Sequence, residues 1–435
     1  ISYWISVNRK YLLFVTKQQL FNQAMSDSKG SGDAGEITVS RSKAMKFTGR
    51  GECDSSGLWS MFGQSFRILH GMSPSLFRQN KEQLWRCLFA GERGHDAGGL
   101  YRELWSMFAA EIMSNALPLL LPCANSTALF GQNRETFVLN PDSTSAEQIQ
   151  MFEFLGKLMG MAVRCANYLD IMISPMAWKM IVGEQVTLED YMGVDASDSK
   201  SMKRLRGFKS EDEFLMSGYD DLTFTATSLG GTTVELHKHG RMQKVTWETL
   251  PIYCGELEAY RLREMDVVAA AVRRGLSTLL PPLMINLIKW KDLETMVCGN
   301  PNVDVELLKS ATEYSSYSER DNVIRWFWEI LTEFSQNERK SYLRFTWGRK
   351  RLPLNRAGFK PRMKVSRMSC RGRSPDLFLP VSHTCVFSID VPQDTSTEII
   401  KAQCLYEIQT SIAIKGDKTR TSRRERGWGM SEYTS

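Results

Sequence analysis

At 435 residues the chain is too long for one simple core and predicts two or three domains. Its 42% apolar and 24% charged composition is that of a globular chain, and a net charge of +6 permits an acidic or polyanionic partner without demanding one. No apolar run is long enough to span a bilayer, and nine widely spaced cysteines with no CxxC pair argue against a disulfide framework or structural zinc and for a reducing compartment.

In chain order, Ile1-Ser2-Tyr3-Trp4 precedes Arg9 and Lys10, the wrong order for a signal peptide, and the start on a residue other than methionine leads us to expect the C-terminal piece of something longer. Residues 1–25 read as an isolated helix, and 26–35 (SDSKGSGDAG) as a flexible linker by composition. A short strand is predicted at 37–39, then a mostly helical region from about 58 to 335. Its clearest helix is 147–170, with Phe152, Leu155, Met159 and Val163 on one stripe and Gly156 and Gly160 placed to let another element pack closely. Segments 222–225 and 233–236 flank Gly230-Gly231, a hairpin signal. Helices resume at 260–278 and 323–334, where Trp326-Phe327-Trp328 has the spacing of core packing. The polar run 335–340 reads as a domain hinge. The last part is mixed α/β: Phe387, Ile389 and Val391 alternate with Ser388 and Asp390 as in a half-buried strand. Thr395-Ser396-Thr397-Glu398 matches a capping box, opening a helix with Ile399, Ala402, Leu405, Ile408 and Ile412 on its apolar face. Beyond Gly416 the run KTRTSRRERG is too charged to pack and reads as a mobile tail.

Cys385 stands on a loop two residues after His383, at the mouth of that strand. A nucleophilic cysteine reacts as the thiolate, which needs exposure and nearby positive charge or hydrogen bonds. A His-x-Cys pair is weak evidence for this on its own, and a lone histidine lacks the orienting third member of a triad; by local spacing a small core cysteine fits better. Glycines 91, 94, 98 and 99 before a helix suit an anion site, but Walker spacing and a GxGxxG order are both missing, so Asp96, Arg102 and Glu103 read as capping and bracing the helix near Leu100. The basic clusters 360–373 and 415–426 carry no nucleic-acid motif and read as a solvated face and tail, with no nucleic acid expected as partner.

Taken together these residues resemble the HECT-type ubiquitin ligase domain. The resemblance is carried, in order, by Phe62-Gly63-Gln64, Asp96-Ala97-Gly98-Gly99 with Arg102-Glu103, Phe154-Leu155-Gly156-Lys157-Leu158-Met159-Gly160 with Ala162 and Arg164, Trp326-Phe327-Trp328, Phe345-Thr346-Trp347-Gly348 with Leu352-Pro353, and Leu379-Pro380 with Ser382-His383-Thr384-Cys385. It implies an α+β, bilobal fold: an N-terminal extension and linker at 1–57, a large helical N-lobe at 58–335, a small α/β C-lobe at 336–415 joined by a flexible hinge, and a basic tail at 416–435. The conjugating enzyme would dock on a hairpin-containing subdomain within 185–290, with Leu205, Phe208 and Phe214 as candidate contacts.

The resemblance further implies that Cys385 takes ubiquitin from a conjugating enzyme as a thioester and passes it to a substrate lysine. His383 and Thr384 would lie beside it in the loop, and Asp96 would be the N-lobe acid used during transfer. Transthiolation needs no metal or nucleotide, so no cofactor is expected. The partners implied are ubiquitin, a conjugating enzyme and a protein substrate, in the cytoplasm, with the nucleus also admitted. A non-catalytic scaffold that only binds such partners is the competing reading. One departure stands out: the family places an aromatic residue just after its last helix, and here Trp428 or Tyr433 would have to serve beyond a basic run.

Overall fold

The computed structural model describes residues 14–92, 99–219, 221–347, 349, 351–359, 361–370, 372–383, 386–393 and 396–413. They divide into two compact units, one holding the described residues up to 92 with Met107–Val297, the other 99–106 and those from Cys298 onward. Helices dominate and the sheets are small, the α+β composition expected.

The first unit is built on the helix Ala146–Cys165. Ser145 and Gln148 close a capping box at its start, satisfying free N–H groups reciprocally, and Ala166 ends it in the left-handed region (φ 51°), five residues short of the predicted end. The helix is buried nearly all round, and the close approach expected at its glycines is real. A Cβ on Gly156 would stand 1.9 Å from the Val272 carbonyl oxygen, and one on Gly160 2.8 Å from Leu279 Cβ. Val272 belongs to the helix Asp266–Ser277. The single helix predicted over 260–278 is two, Leu250–Arg261 and Asp266–Ser277, because the chain turns at 262–265 and buries Met265 completely.

Six strands pair off in this unit. Strands β1 (Glu36–Val39) and β2 (Arg86–Phe89) run parallel, while β3 (Leu120–Pro122) with β4 (Phe137–Leu139), and β5 (Thr225–Thr227) with β6 (Thr233–Glu235), run antiparallel. The last pair is the predicted hairpin, turned at Gly231 with φ 95°, which glycine adopts without a Cβ clash.

Two expectations near the start are corrected. The helix Phe14–Asp27 is not isolated: Phe21 and Met25 are buried, and the Arg164 guanidinium donates to Met25 O (3.1 Å), Ser28 Oγ (2.7 Å) and Leu279 O (2.8 Å). The segment 26–35 is hydrogen-bonded rather than a free linker. Gly30 N donates to Arg78 O at 2.7 Å, Ser31 N to Ser75 Oγ at 3.1 Å and Gln79 Nε2 to Gly32 O at 2.7 Å. Small residues permit this contact, since a Cβ on Gly30 would meet the Ser75 oxygen at 2.0 Å.

Glu111 closes the N-terminus of the helix Met61–Leu69, accepting from Met61 N (2.8 Å) and Phe62 N (2.7 Å). Burial outweighs those two bonds and pushes its carboxyl up to about 7 from 4.5. A raised folded-state value stabilises below the unfolded one and is lost as pH rises through the folded one. The stability of the native chain relative to Glu111→Gln should therefore fall between pH 4.5 and about 7. Thermal melts of both proteins across that range check this, and parallel pH curves would refute it.

The second unit holds a four-stranded sheet in the order β7-β8-β10-β9, with β7 (Thr312–Ser315), β8 (Met363–Arg367) and β10 (Ser388–Val391) parallel and β9 (Val381–His383) antiparallel to β10. Met363, Val365, Phe387, Ile389 and Val391 share one core with Val323, Phe327, Trp328 and Leu331 of the helix Asn322–Glu333 and with Tyr342, Leu343 and Trp347 of the helix Gln336–Trp347. The predicted strand is observed as Ser388–Val391, with Ile389 and Val391 buried and Asp390 half-buried, although Ser388 is buried too and Phe387 precedes the strand; the Trp-Phe-Trp segment packs on the core as its spacing indicated.

The hinge expected at 335–340, and with it the lobe boundary at 335–336, is corrected. Both flanking helices contribute to that single core, and the division between units falls at Val297/Cys298. The polar run is a capped corner: Ser335 N and Oγ both donate to Glu338 Oε2 (2.7 Å each), and Glu338 N to Ser335 Oγ at 3.3 Å. Its S-x-x-E spacing carried that information. The final helix, Thr397–Ala413, starts with Ser396 accepting from Ile399 N at 3.4 Å; of the predicted face Ile408 is buried and Leu405 packs on the core, and Ile400 and Cys404 are buried beside them. The tail, with Trp428 and Tyr433, lies outside the described residues.

Candidate functional site

Of the predicted site residues, Asp96, Thr384 and Cys385 lie outside the described residues, and His383 ends β9. The helix expected after Asp96 runs Gly99–Ile112. His383 is paired in register with Ser388, so Thr384, Cys385, Val386 and Phe387 form the whole connection between β9 and β10.

Phe387 anchors the far end of that connection. It is fully buried with φ 47°, a left-handed conformation unfavourable for a bulky residue, and its ring stacks on Trp347 at 4.1 Å and 6°. Trp347 also stacks with Phe359 at 5.8 Å and 7°. The Phe-Thr-Trp segment that carried part of the resemblance is therefore an aromatic seat for the loop. Val386, one residue earlier, is 57% exposed. Phe387→Ala should cost about 3–5 kcal/mol by leaving a cavity against Trp347, whereas Val386→Ala should stay within about 0.5 kcal/mol. Chemical denaturation of the two variants separates them, and equal midpoints would remove Phe387 as an anchor.

At the near end, His383 Nε2 donates to Asp390 Oδ2 at 3.0 Å. Register explains the contact: Asp390 stands opposite Val381 on β9, two residues from His383, which makes His383 its diagonal neighbour on the same sheet face. Their side chains are 43% and 34% exposed, so the pair adds at most about 1 kcal/mol to stability. Asp390 was visible in the sequence only as a polar position in an alternating strand. Its pairing depends on an antiparallel register that no local pattern specifies. The histidine thus has the orienting carboxylate that its sequence neighbours lack.

Most of the described cysteines are poorly placed to act as nucleophiles. Cys87, Cys123, Cys254, Cys298 and Cys404 are buried, and burial pushes the Cys165 thiol up to about 12. Cys53 is exposed, but partial burial raises it as well.

In the first unit, the docking candidates separate. Leu205 and Phe214 are buried core residues, while Phe208 lines an open cleft with Arg204, Glu213 and Met216. Met216 is 88% exposed, and neighbouring Leu215 is exposed too.

A family model described as HECT-domain (ubiquitin-transferase) matches residues 108–413, more than half of the chain. The E3 ubiquitin-protein ligase HERC2 of Mus musculus is 32% identical over 388 residues, 88% of this chain and 8% of that protein. The E3 ubiquitin-protein ligase pub1 of Schizosaccharomyces pombe is 30% identical over 356 residues, 79% of this chain and 44% of that protein. RSP5 of Chaetomium thermophilum, also an E3 ubiquitin-protein ligase, is 29% identical over 356 residues, 79% and 42% of the two chains. The chain therefore spans less than half the length of these relatives.

Proposed function

This chain belongs to the HECT-domain (ubiquitin-transferase) family, and from that premise we propose that Cys385 accepts ubiquitin from a conjugating enzyme as a thioester and passes it to a substrate lysine. The observation that carries the reading is the register-locked pair His383 and Ser388, which leaves Cys385 in a four-residue connection seated at one end by Phe387.

In the first step the Cys385 sulfur attacks the ubiquitin carbonyl carbon, the carbon–sulfur bond to the conjugating enzyme breaks, and that enzyme's thiol takes up the proton. One thioester replaces another, so the exchange is nearly balanced in energy and calls for no nucleotide. In the second step a lysine amine attacks, an amide forms, and Cys385 is released as the thiol. The amine must lose a proton on the way, and Asp96 is the acceptor in this scheme.

Cys385 must meet first the conjugating enzyme and then the substrate, which demands a pivot. Since 335–340 is a capped corner, the proposal puts that pivot at the division between the two units. Phe208, Leu215 and Met216 are its contact residues for the conjugating enzyme, in place of the buried Leu205 and Phe214.

Mixing the purified chain with ubiquitin-charged conjugating enzyme and running a non-reducing gel tests the reading. A band heavier by one ubiquitin that collapses on adding dithiothreitol is expected. Binding of the conjugating enzyme with no such band would instead mark a scaffold.

A further inference from the structure

We infer that the loop 125–133 of the first unit is a docking site for an acidic segment of a partner protein, received by Leu129 and Phe130 at the loop tip and by the cationic face of the helix Ala196–Gly207. This surface stands apart from the transferase reading and its test does not depend on it. Leu129 is 77% exposed and Phe130 44%, two large apolar side chains in succession turned to water. Leu129 also holds φ 52°, a left-handed conformation that a residue bearing a side chain adopts at a cost. Strain of this kind persists only where the surroundings impose it, and it clusters at binding sites.

The residues that impose it are identifiable. Asn125 is buried and uses both ends of its amide: Nδ2 donates to Gln132 O (3.0 Å) and Met192 O (3.2 Å), and Oδ1 accepts from Ala196 N (2.7 Å). Phe130 N donates to Asn125 O at 3.1 Å, Arg134 Nη1 to Leu129 O at 3.3 Å and Asn133 Nδ2 to Gly193 O at 3.3 Å. Gly131 closes the turn at φ 90°, and a Cβ there would stand 2.7 Å from the Asn125 amide. The tip is therefore held in shape before a partner arrives, so docking has little of it left to order. Exposed Met192, whose carbonyl anchors the loop, widens the apolar ledge.

Charge decides the kind of partner. In the helix Ala196–Gly207, Lys200, Lys203 and Arg204 are exposed and share one face by their i, i+3 and i+4 spacing. Lys200 Nζ lies 4.0 Å from the Phe130 ring centroid, which joins that face to the loop tip. The acids at the start of the helix are engaged internally: Asp195 accepts from Asp198 N at 2.8 Å, and Asp198 accepts from the Tyr191 hydroxyl (2.8 Å) and Arg261 Nε (2.9 Å). On the loop itself, Arg134 and Glu135 offset each other. The face beside Phe130 is thus cationic and complements carboxylates that follow an apolar residue packed on Leu129 and Phe130. Lys200 and Arg204 are one turn apart, about 6 Å along the helix axis. That is close to the roughly 7 Å between alternate side chains of an extended chain, so an extended acidic segment can meet both.

The test titrates the purified chain into a fluorescein-labelled peptide in which Leu-Phe precedes alternating glutamates and serines, followed by fluorescence anisotropy at low salt. A second peptide carries glutamine for every glutamate. Saturable binding is expected, weaker by at least about tenfold for the glutamine peptide, and weakened by added salt because exposed charges are screened. Lys200→Glu/Lys203→Glu should raise Kd at least about tenfold. Leu129→Gly separates contact from folding. Glycine takes φ 52° without strain, so this variant should melt at or above the native temperature and yet lose at least about tenfold in affinity.

An unchanged anisotropy with the native chain overturns the inference, and so does equal affinity for the two peptides. Native-like binding by Leu129→Gly overturns it too, because the tip would then contribute nothing. Binding to vesicles of equal parts phosphatidylserine and phosphatidylcholine, with none to the peptide, would make this face a lipid contact and overturn the proposal as well.

Discussion

Cys385→Ala should form no thiol-sensitive ubiquitin adduct at any time of incubation while melting like the native chain. In the proposed mechanism Cys385 holds the acyl group, so the expected loss is complete rather than partial. Cys385→Ser separates chemistry from binding. A hydroxyl is the weaker nucleophile at neutral pH, and any product is an oxygen ester that resists dithiothreitol and opens in alkali. Cys53 and Cys370 are the informative controls, being respectively exposed and half-buried among the described thiols. Cys53→Ala and Cys370→Ala should both retain the adduct. If it persisted in Cys385→Ala and vanished in Cys370→Ala, the acceptor would be Cys370 and the assignment would fail.

Gly275→Ala is expected to destabilise the first unit. The helices Ala146–Cys165 and Asp266–Ser277 touch backbone to backbone, and a Cβ on Gly275 would stand 1.8 Å from the Glu153 carbonyl oxygen. That atom belongs to a helix backbone and cannot swing aside, so the helices must separate. Separation opens gaps among Phe152, Leu155, Val272 and Leu276, all fully buried. Overpacking of this kind costs about 1–3 kcal/mol and occasionally more, against the roughly 1 kcal/mol that alanine gains over glycine in a helix. With backbone rather than side chain in the way, the cost falls at the upper end and a net loss of about 1–2 kcal/mol is expected. Gly255 supplies the internal comparison. It is exposed in the helix Leu250–Arg261 and would meet nothing within 4 Å, so Gly255→Ala should be neutral or gain up to about 1 kcal/mol. Urea denaturation measures both, and a Gly275→Ala midpoint at or above the native one would mean that the helices are not held at this distance.

Much of this was legible residue by residue. The Gly-Gly turn between two β-rich stretches announced the hairpin, alternation at 387–391 announced β10, and Gly156 with Gly160 announced a close helix contact. The motif order from Phe62 to Cys385 carried the family. Errors arose where one local pattern serves two structures. A polar run between hydrophobic helices describes a hinge as well as the capped corner at Ser335 and Glu338. A Gly/Ser stretch describes a linker as well as a segment laid against the Pro74–Phe77 turn. In the helix Thr397–Ala413, apolar residues populate more than one face, so its inward side could be settled only by what packs on it.

Local periodicity, capping chemistry and motif order by themselves determined the class of elements and the family, because each depends on residues close together in the chain. Tertiary structure alone decided which carboxylate meets His383, which ring seats the loop at Phe387 and where the units divide. Strand register and core membership bring together residues far apart in sequence, such as Trp347 and Phe387, and the energy of those contacts exists only once the chain has folded.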